Sequence, residues 1–345
     1  LTGLTSSTGQ SHTLEVLLPN ATTRFAARAR EGTDWSALSE VFFTPDTLPA
    51  SSNTLVVSEF CYRPANPTNT VETAISRDRD DFEFLELLNV SPTTLDLGGC
   101  RFSQGILFNF PAGTLLPAGR RLLLVRHAPA FAARYGNPAT VAGEYEGSLD
   151  NNGEAIELLD RSGQPIARFR YDNNAPWPTS PGEAGYSLVL IRPESRPNPA
   201  QPQSWRASAA RQGSPGTSDS QRFTGNPTAD TNNNGQADLL DHAFGTLLGS
   251  PDSGFQAGLL VPTAGTPGET WFTVTLPRNP TADDVAVLLE FATSLDGPWR
   301  SDPGLLELAA ETRTPQGPVL QTYRLTRSLA AETAAFVRIS VALQP

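Results

Sequence analysis

Between residues 54 and 216 the chain breaks into short apolar or alternating runs, each closed by Gly, Pro, Asn or Asp. The runs are Leu55–Phe60, Phe82–Leu88, Arg121–Val125, Ala155–Leu159, Ile166–Tyr171 and Tyr186–Ile191. Runs of this length with such punctuation predict strands, and many short strands in succession predict a β-sandwich. Several of the turns are chemically explicit. Asp150-Asn151-Asn152-Gly153 supplies residues that tolerate positive φ, and Arg161-Ser162-Gly163 sits between two runs. One helical turn is expected at Ala128–Tyr135, where Pro129 fits a first-turn position. Gly and Pro, at 28 and 30 of 345 residues, exceed their average share and disfavour long helices. No run approaches the ~18 apolar residues of a membrane-spanning helix.

Composition removes several classes of chemistry. The 25 basic residues are all Arg, so no lysine is available for a Schiff base, a Walker-type phosphate loop or a kinase ATP site within this chain. Met is absent and the chain starts at Leu1, which reads as a processed product or a fragment. A net charge of −11 argues against nucleic acid as a direct partner, since phosphate binding needs a positive surface. It suits solubility and divalent cations. The histidines are His12, His127 and His242, and the cysteines are Cys61 and Cys100. C-x-x-C, H-E-x-x-H and G-x-S-x-G are missing, and with them the common redox, zinc and serine-hydrolase signatures.

Length predicts two or three domains, and Pro/Ser-rich stretches at 44–53, 213–228 and, more weakly, 262–269 mark their edges. Residues 1–47 are too few for an ordinary domain. They carry strand-like runs at Thr13–Leu18 and Thr23–Arg30 and then W-S-A-L-S-E-V-F-F, similar to the C-terminal part of an immunoglobulin-like or fibronectin-III-like sandwich. Residues 255–345 hold another β-rich module, with W-F-T-V-T-L, V-A-V-L-L-E-F-A-T-S, Val319–Leu325 and Phe336–Ala342.

The ordered set S-E-F-C-Y, D-F-E-F-L-E-L-L-N, D-L-G-G and F-P-A-G-T-L-L-P-A-G closely resembles the lamin-tail domain. It continues with G-S-L-D-N-N-G-E-A-I-E-L-L-D, Y-D-N-N-A-P-W-P, G-Y-S-L, Trp205 and G-S-P-G, so the resemblance covers residues 54–216. It implies an immunoglobulin-like β-sandwich. Bacterial copies sit in large secreted proteins, often beside hydrolases, nucleases or spore-coat CotH-type kinases, and the preceding segment looks like the C-terminal part of the CotH-type arrangement. Any kinase would lie upstream of Leu1. After D-L-G-G the family usually carries a large aromatic residue where Cys100 stands here. In the implied fold its strand lies close to that of Cys61, so a Cys61–Cys100 disulfide is implied; two buried free thiols are the alternative.

The strongest local motif runs from Asp230 to Asp241. A 12-residue calcium loop takes oxygens from positions 1, 3, 5, 7, 9 and 12. Here these are Asp230, Asn232, Asn234, the Gln236 carbonyl, Asp238 and Asp241, with Gly235 at the sharp turn. The following L-L-D-H-A-F-G-T-L-L forms a short amphipathic helix. The segment resembles half a dockerin or a thrombospondin-type-3 repeat. Position 12 is Asp rather than Glu, and a dockerin needs two loops, which makes cohesin pairing doubtful. A structural Ca2+ within residues 226–250 is the expectation; a plain polar linker is the alternative.

Glu59, Glu83 and Glu86 fall on adjacent predicted strands. They are a carboxylate group for acid/base or metal chemistry, or else strand-end acids paired with Arg63, Arg77 or Arg101. His127 is expected to be structural or exposed, and His242 to point to solvent. Trp177, in P-W-P, is a candidate ligand-contact aromatic or a buried anchor. The fold class expected is all-β, tandem immunoglobulin-like sandwiches joined by a calcium-loop and helix linker. The function expected is that of a non-catalytic binding, spacing or anchoring region of a larger secreted or cell-surface protein. A protein or polysaccharide would be its partner. The rival expectations are a calcium-dependent carbohydrate-binding or adhesion module, and a metal-assisted hydrolase built on Glu59, Glu83 and Glu86.

Overall fold

A computed structural model of the chain describes residues 23–136, 140–245, 256–260, 271–301, 305–313, 318–326 and 336–344. At the N-terminal end β1 (Thr23–Ala27), β2 (Arg30–Glu31), β3 (Asp34–Trp35) and β4 (Ser39–Phe43) form two nested antiparallel pairs, β1 with β4 and β2 with β3. The expected run at Thr13–Leu18 lies outside the described residues. Trp35 is exposed, and the Arg28 guanidinium lies over its ring at 4.1 Å.

The central sandwich follows in chain order as β5 (Thr47–Pro49), β6 (Leu55–Cys61), α1 (Thr70–Ile75), β7 (Phe84–Asn89), β8 (Thr94–Asp96), β9 (Arg101–Gln104) and β10 (Ile106–Asn109). Next come β11 (Leu115–Leu116), β12 (Arg121–Val125), α2 (Ala128–Tyr135), β13 (Val141–Glu144) and β14 (Glu146–Gly147). It closes with β15 (Ala155–Leu159), β16 (Pro165–Arg170), α3 (Ser180–Ala184), β17 (Leu188–Leu190) and β18 (Trp205–Ala207). Three sheets result, ordered β13-β12-β7-β6-β17-β18, β14-β10-β9-β15-β16 and β11-β8-β5. Their inner faces share one core that includes Leu55, Phe60, Leu85, Leu87, Phe102, Ile156, Tyr171 and Trp205.

Burial on one face alone would give β7 an alternating pattern, yet all six of its residues are buried. The reason lies on the outer face. The helix α2 sets Phe131 and Tyr135 edge-on against Phe84, with ring centroids 6.1 and 5.6 Å apart, and closes a second cluster over Cys61, Leu123 and Val125. That helix occupies the expected span, with Pro129 in its first turn, and ends at Gly136 with φ +81°.

Beyond the sandwich come α4 (Asp238–Phe244), β19 (Gln256–Leu260), β20 (Trp271–Arg278), β21 (Val285–Ala292), β22 (Leu306–Arg313), β23 (Val319–Leu325) and β24 (Phe336–Leu343). The sheet β19-β20-β23-β22 faces the pair β21-β24 across a core of Phe272, Val274, Leu276, Phe291 and Leu325. The fold is therefore all-β with a few short helices. The helix α4 does not stand alone. Leu239, Ala243 and Phe244 pack with Ala282 and Val285, so the helix is seated on the C-terminal sandwich. Arg206 on β18 reaches that module too, bonding Asp283 at 2.6 and 2.7 Å.

Candidate functional site: the Asp230–Asp241 loop and the buried acid face

The loop closes around Asp241. Its carboxylate accepts the side-chain amides of Asn232 at 2.9 Å, Asn234 at 3.0 and 3.1 Å, and Gln236 at 2.7 Å. Asp230 accepts the backbone N–H of Asn234 at 3.0 Å and of Gly235 at 2.9 Å. Gly235 holds φ +85°, the turn that the sequence placed there. Asp238 opens α4, and its carboxylate takes the Thr231 N–H at 2.8 Å and hydroxyl at 2.6 Å rather than joining the amides around Asp241. Five of the six expected ligand residues are thus tied into one hydrogen-bonded turn, with Asp238 engaged beside it.

The donor set fits a hard cation in kind. Each amide that gives its N–H to Asp241 carries an oxygen one half-turn away, and calcium takes such oxygens alongside carboxylates. Among the described residues no three His, Cys, Asp or Glu side chains stand together as a metal-holding cluster. Any cation capacity of the loop therefore rests on amide and backbone oxygens beside Asp230 and Asp241. His242 does not face solvent as the sequence suggested. Its Nε2 lies 2.9 Å from Asp284 Oδ1, and its ring is 5.5 Å from that of Phe223. That contact draws Asp284 below the ordinary carboxylate range against the opposing effect of burial.

The three glutamates lie under cover, Glu59 and Glu86 within β6 and β7 and Glu83 directly ahead of β7. Glu59 on β6 and Glu86 on β7 are cross-strand partners beside an irregularity in the ladder, and both are at most 2% exposed. Glu59 accepts the Ser187 hydroxyl at 2.5 Å, the Ser214 N–H at 2.8 Å and the Ser214 hydroxyl at 2.8 Å. Glu86 accepts the Ser58 hydroxyl at 2.6 Å, Arg121 Nε at 3.0 Å and the Gly216 N–H at 2.7 Å. Burial, and then the charge of Glu86, push the Glu59 carboxyl up to about 8. Glu86 is raised as well, by burial, against Arg121.

Glu83 stands apart, accepting the Tyr145 hydroxyl at 2.9 Å and the Leu149 N–H at 3.0 Å, and burial lifts it to about 8. The arginines on this face are Arg121 and Arg126, not the Arg63, Arg77 or Arg101 that proximity in sequence suggested. Ser187, Ser214 and Gly216 could not be found from the sequence, because they lie 128 to 155 residues from Glu59 or 130 from Glu86.

The disulfide expectation needs correction, and Trp177 takes the second of its two expected roles. Cys61 and Cys100 are both free. Cys61 belongs to the cluster under α2, whereas Cys100 belongs to the inter-sheet core, so the two thiols serve different layers. Burial raises both, Cys100 to about 11. Trp177 is 8% exposed and lies 6.3 Å from the Trp205 ring, which in turn meets Phe60 and Phe169. It is an anchor of the core and offers no face to a ligand.

The glutamates, the two thiols and both tryptophans all serve one closed double-layered sandwich. Residues 49–173 match the family model of the Lamin Tail Domain. The match spans β5 to β16 and stops before β17 and β18, which complete the six-stranded sheet. The lamin-tail sandwich is an immunoglobulin-like, structural fold. No curated protein and no solved structure matches it. No helix among the described residues is long and apolar enough to cross a membrane.

Proposed function

We propose that this chain is a non-catalytic spacing or anchoring region of a larger secreted or cell-surface bacterial protein. In it a calcium-stabilised loop fixes the second sandwich beside the lamin-tail sandwich. The observation that carries the proposal is the convergence of Asn232, Asn234 and Gln236 on Asp241, directly ahead of a helix rooted in the C-terminal core. A loop rigidified by a cation at that point transmits its stability to the helix and to the strands beneath it. The resemblance to bacterial lamin-tail regions supports the exported setting, where calcium is plentiful.

A hydrolytic role for Glu59, Glu83 and Glu86 has less support. Hydroxyl and N–H donors occupy both oxygens of Glu59 and of Glu86, and the segment that carries Ser214 and Gly216 covers them. Both acids border a cavity of about 680 Å³ that Ser58 and Arg121 also line, yet each is at most 2% exposed and has both oxygens engaged, whereas a general acid or base needs an oxygen free to meet its substrate.

The test is a calorimetric calcium titration of the whole chain and of Asp230→Ala. One saturable site, lost in the variant, is expected. Thermal stability of the parent chain should rise with calcium by mass action, about 2.7 kcal/mol at a hundredfold excess over Kd. Absence of heat at millimolar calcium would take the cation out of the proposal and leave the loop as a hydrogen-bonded connector.

A further inference from the structure

Where the two sandwiches meet, they border an open-mouthed cavity of about 230 Å³ with Ile191 and Arg206 on the lamin-tail side. Arg278, Arg313, Tyr323 and Val319 are among the residues on the other. Three guanidinium groups border this space, and their partners differ. Arg206 is held by Asp283 at 2.6 and 2.7 Å and also by Asp219. Arg313 is held by Glu311 at 2.9 Å, and gives further N–H groups to the carbonyls of Ser208 at 2.7 Å and Ala207 at 3.3 Å. Arg278 has no carboxylate partner among the described residues. One long hydrogen bond, from Nη1 to the Ala243 carbonyl at 3.4 Å, is what it makes.

A guanidinium does not shed its charge in a protein, and the N–H donors of half-buried Arg278 that no protein acceptor takes among the described residues stay open to water or to a solute anion. Burial already weakens the hold of Arg278 on its proton. Its position at the C-terminal end of α4 accounts for one nitrogen only, since Asn279 already caps that end through its N–H to Ala243 at 3.0 Å and its amide to the His242 carbonyl at 2.9 Å. The rest of the fork faces this water-accessible space, which has room for a small solute.

We propose that this cavity is a binding site for a small free monocarboxylate, which pairs with Arg278. The planar fork matches a carboxylate through two parallel N–H donations. The neighbouring acids set the charge of the guest. Asp283 and Glu311 also border the cavity, and their field penalises the second charge of sulfate or phosphate while Arg278 compensates one. The apolar part of the wall sets its body. Ile191, Val285, Val287 and Val319 offer a patch on which a short alkyl tail is removed from water. Each buried methylene then tightens binding roughly fourfold, the equivalent of ~0.8 kcal/mol.

The experiment is a ligand-observed NMR titration of the whole chain with formate, acetate and butyrate. Sulfate and phosphate are run in parallel, and chloride holds the ionic strength constant. Saturable binding that strengthens from formate to butyrate is expected, with the dianions no better than chloride. Arg278→Gln is expected to abolish it. Ile191→Phe, which fills the cavity from the opposite module and leaves Arg278 intact, should also abolish it. Circular dichroism shows which variants fold. Equal butyrate binding by a folded Arg278→Gln or a folded Ile191→Phe chain would overturn the proposal, and so would preference for the dianions.

Discussion

At the scale of single residues, the informative groups are the acids that sit out of water. A carboxyl placed in a dry site holds its proton, because the charged form has lost its hydration. For Glu59 and Glu83 the folded value is about 8 against an ordinary value of 4.5. At acid pH, below the ordinary value, both folded and unfolded chains are protonated and neither group affects stability. As pH rises past that value the unfolded chain releases its protons while the folded chain keeps them, so stability falls. It goes on falling until the folded carboxyls ionise near 8. Glu59→Gln and Glu83→Gln replace each acid with a near-isostere of its protonated form. Each is expected to match the parent near pH 4.5 and to exceed it in melting temperature by pH 8. Melting curves across that range check this; a parent-to-variant difference that does not change with pH would show that the carboxyls are ionised throughout. Acids held down by partners, such as Glu72 beside Arg134, act in the opposite sense at lower pH and cancel in the comparison.

At the scale of elements, the segment from Ser208 to Thr217 works as a strap across the outer face of the six-stranded sheet. It has no strand or helix of its own; N–H and hydroxyl groups aimed at Glu59 and Glu86 hold it, together with the Gln212 N–H on the Gly185 carbonyl at 2.7 Å and the Tyr135 hydroxyl on the Gln212 carbonyl at 2.9 Å. Gly213 makes the close approach possible. Its φ is +84°, and a Cβ there would overlap Glu59 Oε1 and come within 2.8 Å of Ser187 Oγ. Gly213→Ala is therefore expected to lift the strap, at a cost of about 1–3 kcal/mol or more from strain and displaced bonds. Thermal unfolding and faster amide exchange at Ser214 and Gly216 would report it; a change confined to a few tenths of a kcal/mol would mean that the strap adapts freely.

The limit of the sequence lies in such elements. Periodicity located Arg121–Val125, Ala155–Leu159 and the helix Ala128–Tyr135 at their observed bounds, because local pattern and burial agree there. The loop turn at Gly235 was legible on other grounds, from the Asp and Asn spacing of a motif confined to twelve residues. Local pattern could not reveal that a Pro/Ser-rich stretch read as a domain edge would lie over two acids, nor that Cys61 and Cys100 face different layers. Those facts depend on which outer faces are covered, and coverage comes from segments far away in the chain. The same blindness left both roles of Trp177 open, ligand contact or buried anchor, and let His242 pass as a solvent-facing side chain.

At the scale of the whole molecule, the two sandwiches are joined by few but well-buried polar contacts. Arg206 stands at their centre, clasped by Asp219 from the connecting segment and Asp283 from the C-terminal module. Asp283 follows directly on Ala282 of the α4 cluster, and Asp284 holds both His242 and the Phe223 N–H at 2.7 Å. The calcium-type loop, its helix and the inter-module clasp thus form one continuous block. Removing the arginine leaves two acids in a site built for a cation between them, which typically costs about 3–5 kcal/mol for a buried pair that loses one partner. Arg206→Gln is expected to detach the C-terminal sandwich before it unfolds the lamin-tail sandwich. Scanning calorimetry should then resolve two transitions in place of a coupled one, and proteases should cut between residues 208 and 228 at rates well above those of the parent chain. If the arginine carries the contact, Asp283→Asn should reproduce the effect in weaker form, since Asp219 still holds the guanidinium. An unchanged transition with unchanged cleavage in Arg206→Gln would show instead that the apolar seat of α4 and the reach of Arg313 to the Ser208 carbonyl suffice to hold the modules together.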